Sequence, residues 1–73
     1  MSREAIENQL SSARERVAEA ERLIAEQRLR VYKLQRDNKD DTAALRSLDK
    51  LYDLKVGYQI DVRRLEHELS RSS

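Results

Sequence analysis

Asp37-Asn38-Lys39-Asp40-Asp41-Thr42 is the one stretch in which this chain has good reason to stop being helix. Asn38 tolerates the left-handed backbone conformation that ends a helix. Asp40 or Asp41 can then accept hydrogen bonds from the first free amides of a following helix. Arg28, Arg30, Lys33 and Arg36 crowd the approach to the break, and three aspartates follow. Basic groups suit the negative C-terminal end of one helix dipole, and acidic groups suit the positive N-terminal end of the next. Working outward, Ser2 can cap the start, with Glu4 and Glu7 in or near the first turn. The reading is a single domain over 1–73, with helix 1 about 3–36, a turn about 37–41 and helix 2 about 42–70. At 1.5 Å per residue these helices are about 50 and 43 Å long. The closing Ser70-Arg71-Ser72-Ser73 is expected to fray.

The apolar pattern pairs the two segments. Helix 1 carries Ile6, Leu10, Ala13, Val17, Ala20, Ile24, Gln27, Val31 and Leu34, in alternating steps of four and three. Helix 2 carries Ala44, Leu48, Leu51, Lys55, Tyr58, Val62, Leu65 and Leu69 in the same rhythm. Those are heptad seams, each with one polar interruption, Gln27 and Lys55. Folding back at residue 39 sets Leu34 against Ala44, Val31 against Leu48, Gln27 against Leu51 and Ile24 against Lys55. It continues with Ala20 against Tyr58, Val17 against Val62, Ala13 against Leu65 and Leu10 against Leu69. Several layers oppose a small residue to a large one, as interdigitation requires. The expected fold class is all-α, an antiparallel helical hairpin forming a two-helix coiled coil.

Composition agrees and excludes much else. Charged residues make up 40% of 73, with no Phe, Trp, Pro or Cys and one Gly. That is a coiled-coil composition rather than that of a sandwich or α/β domain. So much charge also suits disorder, but periodic apolar residues are not something disorder requires. A formal net charge of +1 favours neither nucleic acid nor a membrane surface. No apolar run approaches 18 residues and no signal-peptide core follows Met1, so a cytoplasmic protein is the expectation.

Two helices bury one stripe each, and a hairpin this small is marginal alone. A second set of apolar residues stands well away from the seams. On helix 1, Ala18, Ala25, Leu29 and Tyr32 fall together; on helix 2, Leu45, Tyr52, Val56 and Ile60 do so, offset in the same rotational sense. The local twofold of an antiparallel pair carries equal offsets to one broad face. Ala25, Leu29, Tyr32, Leu45, Tyr52, Val56 and Ile60 are therefore the expected interface with a partner. A homodimer forming a four-helix bundle is preferred, with an unknown protein partner as the alternative occupant.

Nothing in the chain assembles chemistry. His67, the one histidine, has Arg63, Arg64 and Arg71 as helical neighbours, and no cysteine accompanies it, so it reads as a surface residue. The acidic residues lie on helix surfaces near basic ones, Glu26 beside Arg30 for example, and none sits on a seam. No phosphate loop, nucleophile elbow or zinc-protease motif occurs. No catalytic residue, cofactor, metal or small-molecule substrate is expected. The basic cluster Arg28, Arg30, Lys33 and Arg36 invites a nucleic-acid reading, but its members spread around the helix, whereas phosphate binding wants convergent charge.

The stretch from Leu34 to Arg46, with Asp61-Val-Arg-Arg-Leu-Glu-His-Glu-Leu69 downstream, resembles short bacterial proteins of uncharacterised function. Their pattern sets a basic Arg-Asp-Gly-x-Asp-Thr turn between two helices; here Asn38 stands where that pattern has glycine. The resemblance implies a helical hairpin and no activity. The expected function is non-enzymatic, an oligomerisation or adaptor module acting through helix packing. The alternative is a small nucleic-acid-associated or regulatory protein using the basic cluster.

Overall fold

The protein is described by a computed structural model covering residues 2–72. It contains two helices, α1 (Arg3–Arg36) and α2 (Thr42–Ser72), packed against each other, with no strand among the described residues. The body measures 55 × 14 × 13 Å. A continuous helix of this length would span about 105 Å, so the dimensions are those of a chain doubled back on itself. α2 runs two residues further than expected. The Ser72 hydroxyl donates to the Glu68 carbonyl at 2.8 Å, keeping Ser70-Arg71-Ser72 in the helix. Ser73 lies outside the described residues.

Both helix starts and the turn follow from local chemistry. Ser2 has extended backbone, and its hydroxyl accepts from the Ala5 amide at 3.2 Å. At the other end of α1, Asn38 takes φ 55°. The Lys39 amide then donates to the Leu34 carbonyl at 2.8 Å and the Asn38 amide to Gln35 at 3.1 Å. These two bonds make a Schellman motif, which uses carbonyls the helix would otherwise leave unpaired. Asp40 and Asp41 divide the capping of α2. The Asp40 carboxylate accepts from both the amide (3.0 Å) and the hydroxyl (2.7 Å) of Thr42. The Asp41 carbonyl accepts the first helical bond, from Leu45, at 2.9 Å. The Asp41 carboxylate is left to receive the Gln35 side-chain amide at 2.8 Å, tying the turn back to α1.

Every seam residue of both helices is buried or half-buried, including Gln27 and Lys55. The buried apolar side chains are Ile6, Leu10, Ala13, Ala20, Ile24, Val31, Ala44 and Leu65. Their register differs from the expected one by a layer. Ile6, Leu10, Ala13 and Leu65 form one cluster, with Val62 and Leu69 packed on it. With the Gln27 side chain hydrogen-bonded to the Ala44 carbonyl, helical spacing sets Ile6 level with Leu69, Leu10 with Leu65 and Ala13 with Val62. The same spacing sets Val17 level with Tyr58, Ala20 with Lys55, Ile24 with Leu51, Gln27 with Leu48 and Val31 with Ala44. The Gln27 side-chain amide donates to the Ala44 carbonyl at 3.0 Å. A carbonyl in α2 points one turn onward, toward Leu48, whereas the expected partner Leu51 lies about 10 Å along the axis from Ala44.

The geometric reason for the slide is simple. In the expected register a three-residue step on one helix faces a four-residue step on the other, so alternate layers are mismatched in height. In the observed register three faces three and four faces four. The slide also brings Ile6 under Leu69, where the level register would leave it without an apolar partner beyond that residue.

Candidate association surface

Surface charge pairs locally along and between the helices and does not gather. Arg22 takes Glu19 on one side and Glu26, at 2.6 Å, on the other. Glu26 thus pairs one turn back, with Arg22 rather than Arg30, because two carboxylates converge on one guanidinium. This arrangement holds the Glu19 carboxyl below the usual range, chiefly through its hydrogen bond from Arg22, and pushes the Arg22 guanidinium up. The Asp40 carboxyl is likewise lowered, first by the Thr42 amide and then by its hydroxyl. Two ion pairs cross between helices: Arg14 with Glu66 at 3.1 Å, and the seam residue Lys55 with Glu21 at 3.7 Å. Arg28, Arg30, Lys33 and Arg36 are all exposed, and Arg36 is engaged by Asp37 at 3.3 Å. Among the described residues no group of three or more His, Cys, Asp or Glu side chains converges as metal ligands do. No described helix is long and apolar enough to cross a membrane.

The unusual feature is apolar. Seven large apolar side chains are exposed: Leu29, Tyr32, Leu45, Tyr52, Leu54, Val56 and Ile60. Among the described residues five of comparable size are fully buried: Ile6, Leu10, Ile24, Val31 and Leu65. Val17, Leu23, Leu34, Leu48, Leu51, Tyr58, Val62 and Leu69 are half-buried, so the seven exposed groups lie outside what the seam encloses. Six of the seven exposed groups belong to the interface expected from sequence, and its seventh member, Ala25, is exposed as well.

Helical geometry divides the set. Leu45 and Tyr52 flank the α2 seam on one broad face, with Val56 beyond them. Ala25 and Tyr32 lie on the same face of α1, set further from its seam. Between the two stripes stand Glu21 and Arg28, and Glu21 is drawn toward Lys55. Leu29 and Ile60, about 59% exposed in the second case, point away from the seam on opposite outer edges, so they rim this face instead of flooring it. Leu29 also borders a shallow groove with Arg30, Lys33 and Leu34 near the turn.

Three residues that bear on the surface escaped the sequence reading. Leu54 is 50% exposed, Leu23 is half-buried off the seam, and Gly57 stands in the interior of α2. All three occupy the opposite broad face. Their signal in the sequence was a single turn of helix on the far flank of the seam, too short to form a stripe.

No family model matches the chain, and no curated protein or solved structure matches it.

Proposed function

We propose that this chain is a non-enzymatic association module, and that two hairpins pair through the Leu45–Tyr52–Val56 face into a four-helix bundle. The observation that supports the reading is the set of large apolar side chains, Leu45, Tyr52 and Val56 among them, that stay exposed outside the seam. Burial of a Leu, Val or Tyr side chain against a partner gains about 1.5–3 kcal/mol each, so a few such contacts outweigh the ordering cost of a small interface. Self-pairing suits the face because a twofold brings the α2 stripe of one copy over the α1 stripe of the other, Tyr52 and Leu45 meeting Ala25 and Tyr32. Tyrosine fits such a place, with an apolar ring to bury and a hydroxyl to leave at the rim.

The test is sedimentation equilibrium of the wild-type chain beside Tyr52→Glu with Val56→Glu. The wild type is expected to dimerise in the micromolar range, and its melting temperature to rise with protein concentration. Burying two unpaired carboxylates costs several kcal/mol, so the double variant should weaken that association at least a hundredfold while staying helical. Equal association of the two proteins would refute pairing through this face. If only a heterologous protein binds the face, and the charges abolish that binding, the module is an adaptor and not a homodimer.

A further inference from the structure

The groove on the opposite broad face is lined by Lys50, Asp53, Leu54, Gly57, Tyr58 and Asp61. Gly57 is the chain's only glycine, and it sits mid-helix, where glycine is disfavoured relative to alanine. Its own hairpin gives no reason for it. Its φ is not positive, and a Cβ built there would meet nothing within 4 Å. A helix interior that keeps a glycine without such a reason has a flat place where another backbone or side chain can approach closely. One turn away, Leu54 projects from the same groove half-exposed.

The order of the six residues is what identifies the occupant. Counted outward from the midpoint between Lys55 and Val56, Leu54 mirrors Gly57, Asp53 mirrors Tyr58, and Lys50 mirrors Asp61. Each mirrored pair is chemically complementary: a projecting side chain with a notch, a carboxylate with a phenol, a cation with an anion. A twofold contact requires this property, because residue i of one copy meets residue j of the other and j meets i. We propose that α2 carries a second self-association contact, in which a second copy of this chain packs its α2 antiparallel across the groove. Leu54 of each copy fills the space over Gly57 of the other. Lys50 pairs with Asp61, and the Tyr58 hydroxyl donates to Asp53, each twice. Leu23 of α1 lies on the same broad face and is partly covered in such a pair. The contact is independent of the Leu45–Tyr52–Val56 face and lies on the other side of the ribbon. The second contact is the weaker, so the four-helix dimer forms first in the micromolar range and, at higher concentration, dimers stack face to face into larger assemblies.

The test uses the full chain carrying Tyr52→Glu and Val56→Glu, so that only the second contact is read. In that background Lys50→Glu sets like charges opposite each other twice, and so does Asp61→Lys. Each variant alone is expected to associate about tenfold or more weakly. An equimolar mixture of the two restores both opposite-charge pairs and should associate like the parent, which only an antiparallel twofold predicts. Gly57→Leu gives a second readout with opposed signs: a better helix former raises the melting temperature of the monomer, while the filled notch weakens association. A mixture no more associated than its components, or a Gly57→Leu variant that associates like the parent, would overturn the contact. Parent chains that remain monomeric up to roughly millimolar concentration would overturn it too. If instead Tyr52→Glu with Val56→Glu leaves wild-type association untouched while Gly57→Leu abolishes it, the first face fails and this one stands.

Discussion

Ile6 discriminates between the two ways of pairing the seams, and its truncation gives the sharpest test of the fold. It is 3% exposed and packs with Leu10, Ala13 and Leu65, with Leu69 against the cluster. Ile6→Ala removes three buried carbons from the end of the core that holds the largest apolar side chains. Large-to-small core changes of this kind cost roughly 2–5 kcal/mol, and a site one turn from a helix end belongs at the lower limit, about 2–3. A hairpin of this size holds on the order of 4 kcal/mol in total, so half or more of its stability should go. The melting temperature is expected to fall by roughly 10–20 °C, read by circular dichroism at matched protein concentration. Leu34→Ala is the internal control, since Leu34 is only half-buried at the turn and should lose less. The level register reverses this order, because it pairs Leu34 with Ala44 and leaves Ile6 without an apolar partner. A loss below about 0.5 kcal/mol for Ile6→Ala, with a larger one for Leu34→Ala, would refute the observed packing.

Three further outcomes follow from the geometry. Cysteines at positions 6 and 69 should form an intramolecular disulfide faster than cysteines at 10 and 69, which lie a layer apart; thiol titration over time reads the difference. Asn38→Ala should destabilise by about 1 kcal/mol while Asn38→Gly should be close to neutral, because the left-handed backbone at φ 55° penalises a β-carbon that cannot hydrogen-bond locally. Asp40→Ala should lower the melting temperature at neutral pH and make no difference in strong acid. The folded-state carboxyl is depressed by the Thr42 amide, so its contribution is present above the unfolded aspartate range and lost as pH falls through the depressed value.

The seam was fully legible in the sequence because burial of one stripe is encoded by spacing alone. Each of its members is buried or half-buried, and Ser2, Asn38 and Asp40 cap where short polar side chains can. The axial offset was not legible in the same way. Spacing fixes which residues face inward, but the stagger depends on how far the Schellman turn carries the chain before α2 begins and on matching like steps. The association surface was legible where apolar residues repeat at helical intervals, as with Tyr52 and Val56. It was hidden around Leu54 and Gly57, where the informative feature is a missing side chain and a mirrored order of charges that no periodicity reveals.

Gln27 offers a way to separate stability from uniqueness in this hairpin. Its amide donates to the Ala44 carbonyl at 3.0 Å from a half-buried seam position. That carbonyl already belongs to the α2 hydrogen-bond ladder, so Gln27→Leu leaves no acceptor orphaned. The substitution loses a hydrogen bond of about 0.5–1.5 kcal/mol and gains up to about 1.5–3 kcal/mol of apolar burial against Leu48. The expected result is a hairpin more stable by about 1 kcal/mol. The same change should make the fold less specific, since a leucine at 27 packs equally well against Leu51 in the level register, whereas the wild-type amide has its carbonyl only in the observed one. Carried into the two cysteine pairs, Gln27→Leu should raise the rate of crosslinking between 10 and 69 relative to that between 6 and 69. A variant that melts lower than wild type would show that the hydrogen bond outweighs the burial. An unchanged crosslinking ratio would show that step matching alone holds the register, and that Gln27 serves only to fill its layer.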